Sequence, residues 1–77
     1  MIPLCSSNDV INALQRAGFT PARSASCSHQ FMVRELMDGT KRTATVVLGK
    51  KEIPRFTLRG ILRQANMTED EFRELLR

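Results

Sequence analysis

Residues 29–48 read HQFMVRELMDGTKRTATVVL, two β-rich runs on either side of an Asp-Gly pair. His29 to Leu36 is strand-like, and Lys41 to Leu48 returns with Thr, Ala and Val, residues that suit a pleated, half-buried surface. Asp38-Gly39 between them is a signal for a type I′ turn, whose two central residues both need positive φ. The stretch predicts an antiparallel hairpin. Alternation does not decide which side of it turns inward. His29, Phe31 and Val33 share one side of the outgoing strand, and Gln30, Met32 and Arg34 the other. On the return, Ala44, Val46 and Leu48 oppose Thr43, Thr45 and Val47. Both sides hold apolar residues, and a bulge near His29 would reconcile them.

Working outward, helices bracket the hairpin. Val10, Ile11, Leu14 and Ala17 fall at i, i+1, i+4 and i+7 with Asp9, Asn12, Gln15 and Arg16 outward, the pattern of an amphipathic helix. Ser6 or Ser7 caps it, Asp9 lies where the helix dipole favours a negative charge, and Gly18 supplies a left-handed end with Phe19 folding back. Thr20 to Ser26 reads as an edge or irregular strand, since Pro21 cannot donate to a ladder, and residues 23–28 are small and polar enough for a turn. Beyond the hairpin, the basic connector Gly49 to Pro54 leads into a helix with Leu58, Ile61, Leu62 and Ala65 on one face and Asn66 as a left-handed cap. A last short helix has Thr68 and Glu71 as a capping box and Met67 with Phe72 as a hydrophobic staple. The order α-β-β-β-α with a short extra C-terminal helix predicts an α+β fold, a three-stranded antiparallel sheet packed on helices, in a single domain over residues 1–77.

Composition narrows the chemistry. The chain has 77 residues, no Trp or Tyr, and a net charge of +4. Residues 1–66 carry ten Lys/Arg against four Asp/Glu, and the last eleven residues two against four. A basic body suits a polyanion, and nine of the twelve cations are Arg, the better fork for phosphate. A basic surface is also often no more than a solvated one. Cys5 and Cys27 form no CxxC pair and there is one histidine, so no metal site is expected. No apolar run can span a bilayer, and without a secretory pattern the chain reads as reduced and cytoplasmic.

Two features carry chemistry. His29 is the sole imidazole, able to exchange a proton near neutrality, and it enters a strand just after Ser28. Ser28 either orients the ring, binds a phosphate oxygen, or caps the turn. Cys27 would share a strand face with His29, but a Cys–His nucleophile pair lacks an orienting third group. The second feature is cationic. Arg55, Arg59 and Arg63, at i, i+4 and i+8, form one helix flank, with Lys50 and Lys51 just before it, a surface able to track phosphates. Its plainer reading is the solvated side of an amphipathic helix.

The whole arrangement resembles the HicA toxin family of bacterial toxin–antitoxin systems. The resemblance rests on Leu14 to Phe19, the Ser28-His29 pair entering a strand, the Asp38-Gly39 hairpin, Gly49 to Pro54 leading into Thr57 to Ala65, and Thr68 to Phe72. It covers nearly all of the chain. It implies a double-stranded-RNA-binding-domain-like fold and an endoribonuclease that cleaves mRNA and arrests translation, neutralised by a HicB-like antitoxin that covers the site. His29 matches the family's essential histidine in a Gly-Ser-His motif. Cys27 stands where that motif has Gly, and Gln30 stands in place of a frequent second histidine.

These readings combine into one mechanism. His29 serves as general base on a ribose 2′-OH or general acid on the departing 5′-oxygen, without metal or other cofactor, while Lys50, Lys51, Arg55, Arg59 and Arg63 hold RNA phosphates. The rival from another class is a non-catalytic RNA-binding module with the same basic face. A third is a protein-interaction module whose cations meet an acidic partner.

Overall fold

Strand pairing decides the layout. In the computed structural model, which describes residues 2–23 and 27–76, β2 (His29–Glu35) and β3 (Lys41–Val47) pair antiparallel, one to one from His29 opposite Val47 to Glu35 opposite Lys41. The register contains no bulge. Met32, Ala44 and Val46 are fully buried on one side, so the even-numbered positions face the helices. His29, Phe31, Val33, Thr43 and Thr45 lie on the opposite, open face, where they are half-buried or exposed.

The expected type I′ turn is not formed. Leu36 N–H donates to Thr40 O at 2.7 Å and Gly39 N–H to Leu36 O at 3.0 Å, leaving Met37-Asp38-Gly39 as a three-residue loop. Within it Gly39 has φ +89°, whereas Asp38 keeps a negative φ. The Asp38 carboxylate accepts from the Thr40 amide and hydroxyl at 2.9 and 2.6 Å, which fixes the longer loop in place of a two-residue turn. Leu36 and Leu48, expected at the strand ends, fall just outside them.

β1 (Thr20–Ala22) completes a sheet of order β1-β2-β3. Pro21 stands opposite Met32 on this outer strand, where a missing N–H disturbs no second ladder. The expected extension to Ser26 and the turn after it fall partly on residues 24–26, outside the described residues; Cys27 and Ser28 are in a turn.

The helices follow their local signals. In α1 (Ser7–Arg16), Ser6 is the cap and Asp9 reciprocates from the third helical position. Phe19 N–H to Leu14 O and Gly18 N–H to Gln15 O, at 2.9 and 3.0 Å, with Gly18 at φ +98°, close the far end as a Schellman motif. In α2 (Arg55–Ala65), Leu58, Ile61, Leu62 and Ala65 are buried, and Asn66 at φ +56° ends the helix in the same way. α3 (Glu69–Leu75) starts on the expected Thr68–Glu71 capping box and buries Phe72. The class is therefore α+β, in the expected order. One contact has no counterpart in the sequence pattern: the segment before α1 pairs with the basic connector through a Cys5–Ile53 bridge, which buries Ile2, Cys5 and Ile53. Burial, with the Asp9 carboxylate adding to it, pushes the Cys5 thiol pKa up, so it packs as a neutral group.

Bonds from the Thr68 amide and hydroxyl hold the Glu71 carboxyl below its ordinary range. A lowered folded pKa contributes stability that is complete above the ordinary glutamate range and lost as pH falls through the lowered value. Thr68→Ala should cost about 1 kcal/mol of stability at neutral pH, measured by urea unfolding. It should also flatten the acid limb of the stability curve.

Candidate functional site

β2 begins at His29, and the open face presents its exposed ring at the end of the sheet. The Ser28 hydroxyl lies 3.4 Å from His29 Nδ1, a long contact that biases the ring weakly. Cys27 sits in the preceding turn, not on the strand, so the alternation that would bring its thiol beside the ring does not extend to it. Gln30 is on the other side of the sheet. Its amide donates to Ala22 O and Phe31 O at 2.8 and 2.9 Å, which ties β1 to β2. A titratable group at that position would not share a face with His29.

The same end of the sheet holds the basic connector. Ser28 O accepts from Leu48 N–H at 2.8 Å, one strand spacing of about 5 Å from the returning chain. Ser7 fixes the connector from the other side. Its buried hydroxyl donates to Val47 O at 2.6 Å and accepts from Lys50 N–H at 2.9 Å, while its own N–H donates to Lys50 O at 2.9 Å. A residue read as a possible helix cap thus clamps the end of β3 to the connector. A shallow cleft of about 260 Å³ opens there, lined by Ser6, Ser7, Asn8, Gly49, Lys50 and Lys51. Both lysines are exposed.

The arginine flank divides. Arg55 Nε donates to Ile2 O at 2.9 Å and anchors the N-terminal segment. Arg59 Nε faces the Glu69 carboxylate at 3.5 Å across the α2–α3 turn, a partner too distant in sequence to be seen as an i±4 neighbour. Arg63 is exposed in the last turn of α2, about 12 Å along the helix axis from Arg55. The structure therefore brings His29, Ser28, Lys50 and Lys51 to one end of the molecule. Arg59 and Arg63 extend away from it.

Ser7 and Gln64 are the positions sequence reasoning missed. Gln64 Oε1 accepts from the Thr45 N–H at 3.1 Å and covers the outer edge of β3. Neither had a sequence signal beyond a polar residue near an element boundary. Both cysteines are free thiols. Among the described residues no three His, Cys, Asp or Glu side chains converge to hold a metal, and no helix is long and apolar enough to cross a membrane.

Ser7→Ala should cost about 1–3 kcal/mol, because it removes the hydroxyl partner of the part-buried Val47 carbonyl and Lys50 amide. Hydrogen exchange should speed up at Lys50 and Leu48 more than at the α2 core, which locates the loss at this corner.

Residues 7–67 match the family model described as the HicA toxin of bacterial toxin–antitoxin. No curated protein matches the chain.

Proposed function

The chain belongs to the HicA toxin family of bacterial toxin–antitoxin systems, and we propose that it is a single-domain cytoplasmic endoribonuclease that cleaves mRNA and is neutralised by a HicB-like antitoxin. The observation that supports this most is the exposed His29 ring on the open sheet face, at the end where Lys50 and Lys51 line a cleft.

In this reading His29 takes the proton from a ribose 2′-OH as that oxygen attacks the adjacent phosphorus. The P–O5′ bond breaks, leaving a 2′,3′-cyclic phosphate and a 5′-hydroxyl. The imidazole can instead deliver the proton to the departing oxygen, and with one histidine the second proton transfer falls to water. Lys50 and Lys51 hold the phosphate and offset the charge that builds on its oxygens. Ser28 steadies the ring through its long contact with Nδ1. Arg63, and Arg59 when it releases Glu69, continue the cationic track down α2, with Arg55 at its head. The reaction as written needs no metal or other cofactor. One imidazole without a positioned partner implies slow turnover and little sequence discrimination.

His29→Ala should slow RNA cleavage about 10²–10⁴-fold and abolish growth arrest, with the unfolding midpoint unchanged because the ring is exposed. Cleavage at the wild-type rate would leave a non-catalytic RNA-binding module or a different catalytic group. Lys50→Ala and Lys51→Ala should each weaken RNA binding and reduce the slope of log K against log salt by about 0.7 per cation for single strands, read by fluorescence titration at several salt concentrations.

A further inference from the structure

Two residues of α2 break the rules that the rest of the helix obeys, and they lie one turn apart on the same side. Phe56 is 87% exposed, opposite the buried row of Leu58, Ile61, Leu62 and Ala65. Gly60, four residues on, is in the middle of the helix, where glycine is the poorest former after proline. It has no positive φ, and a Cβ built there meets no atom within 4 Å, so the fold does not require glycine. Violations of local preference without an internal reason mark places shaped by something outside the chain.

Arg59 and Arg63 stand beside these two, at i+3 and i+7 from Phe56, and the first turn of α2 carries no acidic residue. Arg59 meets Glu69 at 3.5 Å with both side chains about half exposed, a pairing that a better-placed carboxylate can replace. Next to Gly60 a groove of about 450 Å³ runs between α2 and β3, lined by Thr45, Thr57, Ile61, Arg63 and Gln64.

We propose that this outer face of α2 is the docking surface for the antitoxin, which seats an aliphatic side chain over Gly60 against Phe56 and places carboxylates on Arg59 and Arg63. The proposal rests on the reading of the chain as a toxin held by a protein antitoxin. An exposed aromatic with arginines around it is the composition of a protein hot spot. A second copy of this chain would bring the same arginines against themselves. An RNA strand has use for the cations and one ring face, but not for a missing side chain at Gly60. Docking here covers the α2 part of the phosphate track.

The test titrates wild type, Phe56→Ser and Gly60→Gln with the protein encoded by the neighbouring gene, and separately scores growth arrest for each variant expressed alone. Neither substitution replaces a core residue or a residue assigned to RNA. Both variants are expected to arrest growth as wild type does and to bind the neighbouring protein at least tenfold more weakly. Binding within twofold of wild type, or no binding by wild type itself, overturns the proposal. So does loss of arrest in the variants alone, which would assign Phe56 to RNA, or a wild-type dimer that Phe56→Ser splits, which would assign it to a second copy. If wild type causes no arrest while both variants still lose affinity, the docking surface stands and the toxin reading fails.

Discussion

A pleated strand sends neighbouring side chains to opposite sides, and this period of two governs the molecule. Once Met32, Ala44 and Val46 are buried beneath the helices, the unbroken register from His29–Val47 to Glu35–Lys41 leaves His29 no choice of face. A slip of one residue would bury the imidazole and expose the methionine together. Core packing and the presentation of the histidine are therefore a single constraint. The helices enforce it from one side, and Pro21 and Gln64 guard the two outer strands.

The cations show how a small chain divides its charged groups between folding and function. Arg55 holds the N-terminal segment through Ile2 O, and Arg59 spans the turn between α2 and α3. Lys50 serves through its backbone, which Ser7 grips at both amide and carbonyl, so its side chain stays free to project into the cleft. A connector that looks like a loop is held as firmly as a strand end. In the proposed reaction these bonds would keep a phosphate in position for the one imidazole.

Much of the fold is legible in the sequence because its signals are local. The serine cap of α1, the capping box at Thr68, left-handed ends at Gly18 and Asn66, and the helical rows of α1 and α2 are each written within a few residues. The features that escape a sequence reading depend on distant contacts. The inward face of the hairpin is set by helices that alternation does not see. The loop at Gly39 departs from the two-residue turn because a favourable dipeptide says nothing of Thr40, whose amide and hydroxyl hold Asp38. His29 and the lysines are recognisable as chemistry, but their common corner depends on Ser7, forty residues from Val47, and the Arg59–Glu69 pair bridges two helices.

The central claim is that RNA meets the protein where His29, Val47, Lys50 and Lys51 share one end of the sheet. Heteronuclear NMR of the protein titrated with a short 2′-O-methyl RNA, which binds without being cut, tests it directly. Salt-sensitive shifts are expected, concentrated at the His29 ring and the amides of residues 47–51 and fading towards α1's far end and α3. Shifts centred on α1 or α3, with the His29 ring unmoved, would contradict the claim.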